Sequence, residues 1–152
     1  MKTKAVLLTL FLGAIFSATV LESCGEVPRS QGKALYEFYC ANCHQPDGRG
    51  LIGNIPPLNQ ADWLESHRND IACVIRYGMK GPMQVNGLNY NGVMAGAYRI
   101  TDAEITNITN YILTSWDNDL PPIGATQVSE QLEACSDSEI IRLSNPQTLG
   151  LN

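Results

Sequence analysis

The pentapeptide Cys40-Ala41-Asn42-Cys43-His44 constrains this chain more than any other stretch. A C-x-x-C-H run is the pattern through which haem is attached covalently to a polypeptide. Two thiols three residues apart sit on one side of a helical turn, so each can form a thioether to one vinyl group of the ring. The next residue, His44, is then delivered beneath the ring plane as an axial ligand to iron. A domain built this way must also supply an apolar wall, a second axial ligand and a lid. The motif taken alone also fits a thiol redox pair or half a zinc site, so the remainder of the chain has to decide.

The N-terminus sets the expected compartment. Lys2 and Lys4 precede an apolar run over residues 5–16, which reads as an export signal whose core is short for a full membrane span. Leu21-Glu22-Ser23-Cys24 is similar to the lipobox of bacterial lipoproteins, apart from Glu22, where a small or apolar residue is usual. On this reading residues 1–23 are a lipoprotein-like signal peptide, Cys24 is lipidated and residues 24–29 are a tether. Residues 30–135 form the folded domain, and residues 136–152 are a tail. A diacyl anchor at Cys24 would hold the domain on the periplasmic side of a membrane. In that oxidising compartment Cys73 and Cys135 are a disulfide candidate; two separate buried thiols are the alternative.

Charge narrows the partners. The chain carries a formal net charge of −5, and loss of residues 1–23 removes Lys2, Lys4 and Glu22, leaving 8 basic and 14 acidic groups. Nucleic-acid binding through a basic patch is excluded on that balance. A partner with a positive docking face fits it better.

Residues 31–39 read as a helix capped by Ser30, with Ala34, Leu35, Phe38 and Tyr39 on one face. A turn-rich exit follows at residues 45–50. Pro56 and Pro57 then bring a carbonyl within sequence reach of His44, whose second ring N–H needs a fixed acceptor if the first nitrogen binds metal. Short helices are expected over residues 59–66 and, capped by Asn69, over residues 70–77. Asn86-Gly87 signals a small hairpin with Tyr90 near its base. Residues 91–96 then read as a glycine-flanked loop carrying Met94, the preferred sixth ligand, with Met79 and Met83 as competitors. His67 reads as a solvated surface residue and is the fallback ligand. Thr101-Asp102-Ala103-Glu104 is a capping box. It opens a helix striped by Ile105, Ile108, Ile112 and Trp116, and a further short helix is expected over residues 126–134.

These residues resemble the class I cytochrome c family over residues 31–116. The resemblance is carried by Gly32 and Tyr36, by Cys40 through His44, by Pro56-Pro57-Leu58, by Met94, and by the terminal helix through Tyr111-Ile112. Residues 85–94 are similar to one subgroup, which includes small bacterial monohaem cytochromes and the domains fused to copper nitrite reductases and some dehydrogenases. The resemblance implies an all-α cytochrome c fold of four to five helices around one covalent haem c, with a small β-hairpin before the methionine loop. It also implies that Gly32 touches Tyr111. Cys40 and Cys43 would hold the haem covalently, His44 and Met94 would be the axial iron ligands, and Pro56, Pro57 and Tyr90 would line the site. Ala95 stands where relatives carry proline, which implies a less rigid ligand loop. The implied function is one-electron transfer in a respiratory chain, without enzymatic catalysis. Its partners would be a redox donor and acceptor, such as a respiratory complex, an oxidase or a dehydrogenase. The alternative is a haem enzyme or gas sensor with an open or labile sixth position.

Overall fold

The computed structural model describes residues 29–136. The expected signal peptide, the lipidation site at Cys24, the tether before Arg29 and the tail beyond Ser136 lie outside the described residues. Six helices are present among them: α1 (Arg29–Tyr39), α2 (Ala41–His44), α3 (Asp62–Ser66), α4 (Ile71–Tyr77), α5 (Asp102–Leu113) and α6 (Ala125–Ser136). Four short strands lie between α4 and α5: β1 (Gly78–Lys80), β2 (Met83–Val85), β3 (Leu88–Tyr90) and β4 (Val93–Ala95).

The two helices at the centre, α1 and α5, pack on each other where α1 has no side chain. A Cβ added to Gly32 would fall 2.4 Å from the Asn107 carbonyl oxygen and 2.9 Å from Cβ of Tyr111. The crossing is therefore close enough that only hydrogen fits between the two backbones. One turn further on, Tyr36 is fully buried and its ring meets Tyr111 (centroids 5.3 Å) and Trp116 (5.0 Å). Tilted and edge-on aromatic contacts of this kind add to what area burial alone gives. Ile105, Ile108, Ile112 and Leu113 of α5 fill the core behind them.

Helix α5 starts where the capping box directs. Thr101 accepts a hydrogen bond from the Glu104 backbone N–H at 3.2 Å, and Glu104 Oε2 accepts from the Thr101 N–H at 2.7 Å. The helix ends at Leu113 rather than near Trp116. Trp116 leaves the helical path at φ +53°, which swings its ring back onto Tyr36 and Tyr111. Asn118 holds this turn, its amide donating to the Ile112 and Leu58 carbonyls at 2.6 and 2.9 Å.

The expected four to five helices become six because the chain includes two single-turn segments, α2 and α3, too short to show a period of their own. Arg29, placed in the tether by the sequence reading, is the first residue of α1, so Ser30 lies inside the helix rather than capping it. Asp70, not Asn69, precedes α4, and no side chain caps that helix. The larger departure is in the strands. β2 pairs with β3 across Asn86-Gly87, and β1 pairs with β4 in a second antiparallel pair, with Met79 opposite Met94. Met94 therefore lies in a strand and not in a free loop. Cys73 on α4 and Cys135 on α6 form a disulfide 62 residues apart, stapling the last helix to the body.

Two outcomes follow from this packing. Gly32→Ala should lower stability by about 1–3 kcal/mol, the usual cost of forcing extra volume into a close-packed contact, measured by chemical denaturation. Hydrogen bonds from Thr101 hold the Glu104 carboxyl below its ordinary pKa of 4.5. A carboxyl depressed in the folded state stabilises above the unfolded pKa, and that contribution is lost as pH falls through the folded value. Glu104→Gln should therefore lose stability at neutral pH and show a shallower decline below pH 4.5 than the parent chain, in unfolding curves taken across that range.

Candidate functional site

The C-x-x-C-H residues are held by a short backbone ladder. The Cys40 N–H donates to the Tyr36 carbonyl at 2.8 Å, and the Cys40 carbonyl accepts from the N–H groups of Cys43 and His44 at 3.1 and 2.9 Å. This single turn places Cys40, Cys43 and His44 on the wall of one cavity of about 360 Å³. The rest of the lining is mainly apolar. Leu58, Trp63, Leu64, Ile71, Ile75, Val85 and Ile112 contribute, and so do Pro56, Pro57, Tyr90 and three methionines, Met79, Met83 and Met94. His67 is exposed and stacked on Trp63, and it does not border the cavity.

The imidazole of His44 is buried, at 7% exposure. Its Nδ1 lies 3.1 Å from the Pro56 carbonyl oxygen. A carbonyl can only accept, so Nδ1 carries the proton and Nε2 keeps its lone pair. Burial holds the His44 pKa below the ordinary 6.5, and the Pro56 carbonyl works in the opposite sense. The ring is therefore neutral at physiological pH, the state that metal ligation requires.

The Pro56 carbonyl is aimed by Gly50. That residue has φ +63°, and a Cβ there would fall 2.4 Å from the Ile55 carbonyl oxygen and 2.6 Å from that of Pro56. Its N–H donates to the His44 carbonyl at 2.9 Å, so the loop is tied to the motif from both ends. Tyr36 adds a third tie, its hydroxyl donating to the Gln45 carbonyl at 2.7 Å.

The thiols discriminate among the readings of the motif. Cys40 and Cys43 are both free, and burial pushes the Cys40 pKa up to about 12, with Cys43 adding in the same direction. Thiol redox pairs lower the pKa of the attacking cysteine, the reverse of what is found here. A structural zinc site needs four ligands, and among the described residues no cluster of three or more His, Cys, Asp or Glu is placed to hold a metal ion. Two thiols, a neutral imidazole and thioethers around an apolar cavity fit a covalently held haem.

Comparison with known proteins agrees. Residues 30–116 match the Cytochrome c family, and the chain belongs to that family. Cytochrome c-552 of Thermus thermophilus is 38% identical over 92 residues, covering 58% of this chain and 70% of that protein. A second cytochrome c-552, from another strain of Thermus thermophilus, is 38% identical over 92 residues and is covered over 62% of its length. The fructose dehydrogenase cytochrome subunit of Gluconobacter japonicus is 26% identical over 125 residues, which span 77% of this chain and a quarter (25%) of that subunit. Family membership brings covalently bound haem c as the cofactor, one for a single C-x-x-C-H motif, and an electron-transfer role. Among the described residues no helix is long and apolar enough to cross a membrane.

Sequence reasoning missed the β1–β4 pair, because three-residue strands flanked by glycine give no alternating period. It also missed Trp116 as a wall of the motif's exit turn, although the Asp117-Asn118 turn directly after it was visible. Gly50→Ala should displace the Pro56 carbonyl and weaken its bond to His44, at a cost of about 1 kcal/mol or more from the positive φ alone. Proton NMR checks this, with the His44 Nδ1–H expected to exchange faster with solvent in the variant than in the parent.

Proposed function

We propose that this chain is an exported monohaem cytochrome that carries single electrons between two redox proteins of a respiratory chain. The observation that supports this reading best is the shared cavity. Two free thiols, an imidazole with its tautomer fixed by Pro56, and thioether sulfurs all border one apolar space. Haem supplies the one-electron couple; the chain supplies attachment, ligation and insulation. Cys40 and Cys43 are the attachment thiols. His44 is one axial ligand and Met94 the other, a His/Met pair that raises the reduction potential. Pro56 orients His44, while Pro57 and Tyr90 wall the ring. With both axial positions taken from the protein, small molecules are kept from the metal, and no side chain is asked to move a proton.

Residues 1–23 act as the export signal, Cys24 carries the lipid, residues 24–29 form the tether and residues 136–152 a tail. The domain then works at the periplasmic side of a membrane, with a respiratory complex, an oxidase or a dehydrogenase as donor or acceptor. The likeness to a dehydrogenase cytochrome subunit supports a dehydrogenase among them. The excess of acidic over basic groups suits a positive face on the partner.

The test is an absorption spectrum of the full exported protein, oxidised and reduced, with carbon monoxide added to the reduced form. The expected result is a low-spin spectrum with the weak long-wavelength methionine–iron band and no response to carbon monoxide. A high-spin spectrum that shifts with carbon monoxide would overturn the electron-carrier reading in favour of an enzyme or gas sensor. Cys40→Ser and Cys43→Ser should each cost one thioether, read as a shift of the reduced α-band to longer wavelength. Unchanged spectra in both would sink the attachment assignment.

A further inference from the structure

The pairing of β1 with β4 sets Met79 directly opposite Met94. Side chains directly opposite on two antiparallel strands lie on one face, with Cβ atoms about 4.5–5.5 Å apart. Both methionines are half-buried and both border the cavity that holds His44. Their strand neighbours Lys80 and Val93 are exposed, Val93 at 80%, as alternation along a strand requires. The face shared by Met79 and Met94 is thus the face turned to the cavity.

Met83, the third methionine of the lining, is placed differently. It pairs with Tyr90 and packs against the hydrophobic core. Among the described residues neither Met79 nor Met94 is packed on that core. Met79 is therefore not accounted for as filler. A methionine side chain has three rotatable bonds and a polarizable sulfur, so its reach exceeds the separation between opposite strand positions. Both thioethers can address the same region of the cavity without any change in strand register.

We propose that Met79 is a reserve axial ligand, a second thioether donor for the iron position assigned above to Met94. This rests on the His44–Met94 reading and extends it. Met94 holds the position in the native protein, and Met79 takes it when the Met94 sulfur is removed. The single variant then keeps a closed six-coordinate site, and only loss of both sulfurs opens it.

Leucine substitutions test this, because Leu for Met nearly conserves volume in a packed site and leaves no sulfur to coordinate. Met94→Leu, Met79→Leu, the double variant and a Met83→Leu control are made in the full chain and loaded with haem. Two readouts are taken: carbon monoxide binding to the reduced protein, and the methionine methyl resonances of the reduced protein labelled at those methyls. A ligating methionine methyl lies over the ring and is displaced far upfield.

Met94→Leu is expected to keep an upfield-displaced methyl that disappears on adding Met79→Leu. It should bind carbon monoxide at least roughly tenfold more weakly than the double variant, a difference of about 1.4 kcal/mol. Equal carbon monoxide affinity in Met94→Leu and the double variant overturns the proposal. So does survival of the displaced methyl in the double variant with its loss in Met83→Leu. If Met79→Leu alone abolishes the native displaced methyl, Met79 is the primary ligand and the Met94 assignment fails along with the reserve role. A parent protein with no displaced methyl refutes methionine ligation altogether, and that failure is distinct from failure of the reserve role. Each variant's folding is checked by retention of the Tyr36 ring resonances, which sit in the core away from the substituted strands.

Discussion

The close approach of α1 and α5 at Gly32 is the contact on which the rest of this structure depends. It places Tyr36 under Tyr111 and Trp116, and Tyr36 in turn bonds both the entry and the exit of the C-x-x-C-H turn. Its carbonyl accepts from Cys40, and its hydroxyl donates to Gln45. A single residue one turn beyond the helix crossing thus fixes the orientation of the motif. Any side chain at position 32 would be felt at the cavity through this lever, even though Gly32 does not border it.

The electrostatic state of the motif follows from burial more than from charge. His44 is kept neutral and Cys40 is kept protonated by the same apolar surroundings. An apolar pocket that disfavours ions suits a large flat cofactor held by covalent bonds and neutral donors, and suits poorly a thiolate reagent or a thiolate-bound metal. What distinguishes this C-x-x-C-H from other dithiol sites is therefore its setting as much as its spacing.

Much of the architecture was legible in the amino-acid order. The capping box at Thr101 and Glu104 announces α5 because both partners are local, three residues apart. Gly32 and Tyr111 were paired through the family resemblance, and the crossing bears that contact out. The segment around Pro56 was flagged because a ligating imidazole needs a fixed acceptor, and its carbonyl does lie within hydrogen-bond distance of Nδ1. What escaped is what depends on distant chain segments meeting. The β1–β4 pair joins residues on either side of a hairpin, and its three-residue strands carry no period. Single-turn helices such as α3 likewise have too few residues to declare a face. The Asn118 amide spans to Leu58, a bond that neither local segment signals.

The bond between Cys73 and Cys135 divides the chain in a way that side-chain packing does not. Residues 73–135 become a covalent ring that contains Met79, Met83, Met94, both strand pairs and all of α5. The Cys40–His44 turn and α1 lie on the arm outside it. A backbone cut anywhere within the ring, the exposed hairpin tip at Asn86-Gly87 included, leaves both pieces joined and the methionine strands still leashed to α4. A cut on the arm has no such safeguard. The histidine side of the site is thus held to the methionine side by one peptide path, and it is there that the molecule is open to being severed in two.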